Sequence, residues 1–221
     1  MKNIKKLLSM LLSLIMLFTL AIPVEASDNV DIKEIRNDND VVIVQETKED
    51  EIIIATNDKR TNILTVEKYQ KNSNTLISRN ITDLNMLREK SEKKVILNER
   101  MARASGHTYQ HTFSNREYDR WSGNPNKWKC RIPSGIKNVN ENSSNRSDLR
   151  TFADHVEEVN EAEFVIIGDV GGTVAATAIA AFLTGGAAAG VAAAGGGAAI
   201  VKAFANLNSA CNKADLAYSY I

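Results

Sequence analysis

The chain has 221 residues, 27 of them basic and 27 acidic, with three histidines, two cysteines and 43% hydrophobic residues. Balanced charge argues against a nucleic-acid partner, two cysteines are too few for a closed structural zinc site, and the length allows one sizeable core or two small ones.

Met1 to Lys6 carries Lys2, Lys5 and Lys6, an apolar run follows from Leu7 to Ile22, and Pro23 leads into Val24-Glu25-Ala26. This order predicts a Sec signal peptide over residues 1–26, cleaved after Ala26, and so a secreted, extracellular protein. An uncleaved anchor is the alternative, for which the apolar run is short. The remaining residues 27–221 carry 24 basic and 26 acidic groups, a net charge of −2. That charge is uneven: Ser27 to Ala104 sums to −1, Ser105 to Arg146 to +4 and Ser147 to Ile221 to −5. The shifts suggest three modules, at 27–104, 105–146 and 147–221.

In the first module Val41-Val42-Ile43-Val44, Ile52-Ile53-Ile54, Ile63-Leu64-Thr65-Val66 and Leu76-Ile77 are separated by polar turns. Short β-branched runs spaced in this way predict an antiparallel meander of three or four strands. Asp83 to Arg103 then mixes Leu84, Leu87, Val95, Ile96 and Met101 with many charges, which predicts a solvated helix. Nothing in this module concentrates chemistry. It reads as a structural half or as a pro-region, with Ala102-Arg103-Ala104 before Ser105 as a site for a second cut.

The cationic module 105–146 is expected to form a small central β-hairpin. Tyr109, His111 and Phe113 alternate in one strand, Trp128, Cys130 and Ile132 alternate against Lys127, Lys129 and Arg131 in the other, and Ser122-Gly123-Asn124-Pro125-Asn126 supplies the turn. Aromatic and basic groups together suit a bacterial envelope, so Trp121, Lys127, Trp128, Lys129 and Arg131 are candidate envelope-binding residues. The plainer alternative makes the aromatics a sheet core and the basic residues its solvated face. In an oxidising compartment Cys130 and Cys211 are expected to pair, closing a long loop, and two buried free thiols are the alternative.

Ser147 to Glu163 reads as an acidic amphipathic helix with Leu149, Phe152, Val156 and Val159 on its apolar side. Val170 to Val201 then runs for 32 residues without a charge, and 21 of these are Ala or Gly. Gly168, Gly172, Ala176 and Ala180 recur at four-residue steps, as do Gly186, Gly190, Ala194 and Ala198. On helices these steps make two small-residue ridges for close packing. With Gly185-Gly186 as the breaker, the tract predicts a helical hairpin, Phe164 to Thr184 and Ala187 to Ala205, of roughly 31 and 28 Å, near the ~30 Å of a bilayer's hydrocarbon. Ala and Gly are only marginally lipophilic, so insertion into a membrane and burial in a soluble core both remain open. The fold class expected is α+β.

Catalytic signals are poor. His107 and His111 lack the intervening Glu of a metalloprotease helix, Asp154-His155 falls on the amphipathic helix, and neither Gly171-Gly172-Thr173 nor Gly195-Gly196-Gly197 ends in the Lys-Ser/Thr of a phosphate loop. No catalytic residue, metal or cofactor is expected. The order of leader, charged β module, Tyr109-Gln110-His111-Thr112-Phe113 through Trp128, and Gly/Ala-rich hairpin ending near Ala210-Cys211 resembles the large secreted bacteriocins of the geobacillin type from Gram-positive bacteria. The resemblance implies an unmodified antibacterial protein. The function expected is therefore a secreted protein that docks on a target-cell membrane or envelope and permeabilises it through a hairpin that inserts or homo-oligomerises. The alternative is a non-toxic secreted structural or interaction protein whose hairpin is a soluble core and whose β module binds a partner.

Overall fold

The computed structural model describes residues 30–89 and 107–221. The expected leader, the second cut site and residues 90–103 of the helix expected over Asp83 to Arg103 lie outside them.

Strands β1 (Asp31–Asn37), β2 (Val41–Thr47), β3 (Glu51–Asp58), β4 (Ile63–Gln70) and β5 (Thr75–Asp83) form one antiparallel sheet in that order, each paired with the next. Strict alternation directs Val42 and Val44, Ile53 and Ala55, and Leu64 and Val66 to one face, where all six are buried. The chain is helical over 84–89, where Leu84 joins the core. The charged strand β1 was not among the expected ones. Its Asp-x-Lys-Glu-x-Arg pattern hides an edge strand, where charges are common.

The central module differs from expectation. In place of a two-stranded hairpin, β6 (His107–Gln110), β7 (Glu117–Trp121), β8 (Lys127–Ile132) and β9 (Gly135–Asn140) make a four-stranded antiparallel meander. Ser122 to Asn126 turns between β7 and β8, and Phe113 sits in the separate turn between β6 and β7. The polar strand β9 carries no hydrophobic alternation to announce it. It is held by its pairing with β8 and by Lys137, whose Nζ lies 4.6 Å from the Tyr218 ring centroid and donates to the Tyr218 carbonyl at 2.8 Å.

The C-terminal module has four helices: α1 (Arg146–Val170), α2 (Gly172–Gly185), α3 (Ala187–Ala194) and α4 (Ala198–Tyr220). Helices α1 and α4 pack along each other, burying Leu149, Phe152, Val156, Val159 and Ile166 against Phe204, Leu207 and Ala214. The chain breaks at Gly186 as expected, but the two membrane-length helices expected on either side of it are themselves cut at Gly171 and at Gly195 to Gly197, all at positive φ, where only glycine is comfortable. At about 1.5 Å per residue, α2 spans roughly 21 Å and α3 roughly 12 Å, against the ~30 Å of a hydrocarbon core. The longer α1 and α4 carry charges, including Glu157, Glu161 and Asp169 on α1 and Lys202 and Lys213 on α4. Among the described residues no helix is long and apolar enough to cross a membrane.

Helix α3 instead lies between the inner face of β2, β3 and β4 and helix α4. Ala187, Ala188, Ala189, Val191 and Ala192 are each 0% exposed. Polar groups of the sheet satisfy its open ends. Glu46 Oε2 accepts the Ala188 N–H at 3.0 Å, Asn57 donates to the Ala192 carbonyl at 2.9 Å, Asn37 donates to the Gly195 carbonyl at 3.2 Å, and Glu34 accepts the Gly197 N–H at 2.6 Å. Free N–H and C=O groups at helix ends are costly when buried, so these four side chains hold a short Ala/Gly helix inside the fold.

Candidate functional site

The small-residue ridges divide on inspection of their surroundings. Gly168 and Gly172 face open space, with nothing within 4 Å of where a Cβ would stand, while Ala176 is 4% exposed. Gly186 supplies the φ +82 turn against Glu46, Gly190 is pressed on the Phe204 ring, and Ala194 ends α3 half-buried. Gly186 and Gly190 therefore serve contacts within one chain, between α3, α4 and the sheet.

The two cysteines are both free and buried. Cys130 on β8 lies beside Lys137 and Tyr218, whereas Cys211 lies beside Ser114 and Arg116. Cys211 and Tyr218 are seven residues apart on α4, about 10 Å along its axis, so the thiols occupy separate levels of the helix, beyond the ~4–7 Å Cα separation of a disulfide. Burial pushes each thiol up to about 12, so neither presents a thiolate at neutral pH. The expected disulfide is therefore replaced by two packed thiols.

The remaining candidates fall on the two faces of the second sheet. Trp128 is on the buried face, 4% exposed, with its Nε1 donating to Glu141 at 3.0 Å and the Arg120 guanidinium 5.2 Å from its ring centroid. Cross-strand pairing sets Trp121 opposite His107 and Lys127, Asp119 opposite Tyr109 and Lys129, and Glu117 opposite Arg131, which places all of these on the outer face. Trp121 is 41% exposed, and the His107 ring stacks on it at 4.7 Å between centroids with planes 8° apart. The indole is thus held flat, with Tyr109 next to His107 at 5.3 Å.

Between the aromatic and basic rows lies an acid–imidazole cluster that sequence reading did not assemble. His111 Nε2 is 3.2 Å from Asp119 Oδ1 and its Nδ1 is 3.3 Å from Glu117 Oε2, while His107 Nε2 approaches the same Asp119 oxygen at 3.3 Å. Only the imidazolium form presents a donor to both carboxylates, and the hydrogen bond to Glu117 raises the His111 pKa above its ordinary value. Burial raises Glu117, but the hydrogen bonds from His111 and from Arg131 at 3.1 Å more than offset that and hold it below the usual range. The acids are thereby neutralised by their neighbours, and Lys127 and Lys129 have no carboxylate within ion-pair distance among the described residues. With His111 charged, the face carries Arg131, Lys127 and Lys129 against Glu117 and Asp119, a net +2.

The signal for this cluster was present in the alternation of His107, Tyr109 and His111. The missing information was the register of β7, which sets Asp119 opposite Tyr109 and within reach of both imidazoles. Among the described residues no three His, Cys, Asp or Glu side chains are grouped to hold a metal ion. Because the folded pKa of His111 is raised, its contribution to stability is full below the unfolded value of about 6.5 and is lost as pH rises through the folded pKa. Urea melts of the wild type should therefore show falling stability above pH 6.5, and His111→Gln should flatten that dependence. An unchanged slope in the variant would assign the effect elsewhere.

Compared with protein-family models, with curated proteins and with solved structures, the chain matches none.

Proposed function

We propose that the chain is an exported, non-catalytic interaction protein, in which the Ala/Gly-rich helices are core and the outer face of β6 to β9 holds a phosphate-bearing glycan of a bacterial envelope. Membrane permeabilisation is not part of this reading, since the segment assigned to it is broken by Gly171, Gly186 and Gly195 to Gly197 and is spent on internal packing. The observation that carries the reading is Trp121, exposed, flattened on His107 and set one strand away from Lys127. A flat indole offers its π face to the C–H face of a sugar ring, and two uncompensated ammonium groups beside it offer donors and charge to phosphate. Trp128 is excluded from this contact by its burial. The likeness to geobacillin-type bacteriocins is one of chain layout and contributes nothing to the argument.

Titration calorimetry with purified wall teichoic acid, a sugar-substituted polyol phosphate, tests the reading. Saturable binding is expected, weaker at 1 M salt than at 0.1 M, where the Debye length grows from about 3 to about 10 Å. Trp121→Ala, and separately Lys127→Gln with Lys129→Gln, should each weaken it about tenfold, equal to about 1.4 kcal/mol. A neutral glucan and inorganic phosphate alone should bind far less. Equal affinity for the neutral glucan, or no binding to the teichoic acid by a folded chain, would refute the proposal.

A further inference from the structure

The outer face of the five-stranded sheet carries a set of aliphatic side chains among polar ones, where an open antiparallel sheet is ordinarily polar. Pairing brings Ile43, Ile52, Ile54, Ile63, Leu76 and Ile81 to the side opposite the buried core. None of these six is buried, and Leu76 and Ile81 are 45% and 63% exposed. The helices that pack on this sheet, α3 on β2 to β4 and α4 on β1, meet its other face through Glu46, Asn57, Glu34 and Asn37. Aliphatic side chains on a sheet face that no described helix covers mark an interaction surface.

We infer that this face is the interface of a homodimer, in which two copies stack sheet on sheet about a two-fold axis parallel to the strands. The size fits. Five strands at about 4.8 Å and seven residues at about 3.3 Å give a face of about 24 by 23 Å, so two copies bury on the order of 1,000 Å² or more, the threshold for a specific interface. On this face β1 carries Asp31, Lys33 and Arg36, net +1, while β4 and β5 carry Glu67, Arg79 and Asp83, net −1. A two-fold axis along the strands lays β1 of one copy over β5 of the other and brings Lys33 level with the Glu67–Arg79 ion pair. An anionic lipid surface would call for a cationic rim on every side, which this face lacks. Rows of β-branched side chains, including Thr47, Thr56 and Thr65 between the isoleucines, are the composition that interdigitates between stacked sheets.

The dimer is independent of glycan binding, which uses the other sheet. Light scattering coupled to size exclusion, run on the purified chain from 1 to about 100 μM, reads it directly. The wild type should approach twice the mass of one chain. Ile54→Lys at the centre of the face and Ile81→Asp at its exposed edge should each give a monomer at the same concentrations. Circular dichroism guards the reading of Ile54→Lys, and Ile81→Asp, at an exposed position, decides the matter if Ile54→Lys unfolds. A wild type that stays monomeric throughout overturns the inference, as does a dimer that survives Ile81→Asp together with a folded Ile54→Lys. A monomer that co-sediments with phosphatidylglycerol vesicles and loses this in Ile81→Asp also overturns it, in favour of a lipid occupant.

Discussion

Gly190→Leu is expected to lower the melting temperature by about 6–12 °C, from a loss of about 3 kcal/mol at roughly 2–4 °C per kcal/mol for a chain of this size. A Cβ at Gly190 would stand 2.6 Å from Cδ1 of Phe204 and closer still to its Cε1. The ring cannot yield freely. Phe204 is 0% exposed, and the Phe182 ring lies 6.0 Å away between centroids. Helix α3 cannot retreat either, because Glu46 and Asn57 fix its two ends to the sheet. Gly168→Leu is the informative contrast, since it belongs to the same sequence pattern but has nothing within 4 Å. That substitution should change stability by no more than about 1 kcal/mol, with improved helix propensity as the main term. Thermal denaturation of the two variants side by side checks the difference, and equal melting temperatures would contradict close packing at Gly190.

Glu163→Gln should cost about 3 kcal/mol although it removes no atom from the core. Glu163 is 1% exposed on α1, and its two carboxylate oxygens accept the N–H groups of Phe113 and Ser114 at 2.8 and 2.7 Å. A carboxamide replaces one acceptor with a donor, so one backbone N–H faces another donor in a buried site. The effect extends along the turn. Ser114 accepts from Arg116, whose guanidinium holds Asp215 of α4 through Nε at 3.0 Å and Nη2 at 2.6 Å. The turn between β6 and β7 is therefore tied to both long helices, and its loosening should speed amide exchange at residues 113–116. Unchanged urea stability together with unchanged exchange would show that Glu163 does not hold the turn.

These two residues also show how far the sequence could be read. Val42, Val44, Ile53 and Ala55 lie in β-branched runs that reveal their strands, but Val41, Ile43, Ile52 and Ile54 are as apolar, so the alternation that buries one face only was not legible there, whereas Leu149, Phe152, Val156 and Val159 mark both α1 and its buried side. The continuation of that alternation to Glu46 and Asn57 puts two polar side chains on the core face, which makes sense only once α3 is known to end there. Long-range partners of this kind leave no local trace. The absence of charge from Val170 to Val201 was legible, but its meaning turned on where the glycines sit. Gly171 and Gly195 to Gly197 take positive φ and end helices, whereas Gly190 lies inside α3 and serves packing. In the second sheet Lys127, Lys129 and Arg131 could be placed opposite Trp128, Cys130 and Ile132, but the sharing of Asp119 by two histidines depended on strand register.

Hydrogen exchange at the amides of 187–194, in buffer and then with phosphatidylglycerol vesicles, tests the assignment of the Ala/Gly helices to the core most directly. A helix enclosed by β2, β3, β4 and α4 opens only with the fold, so its amides should be among the slowest in buffer alone and unaltered by vesicles. Fast exchange of these amides in buffer, with protection appearing only when vesicles are added, would contradict the account.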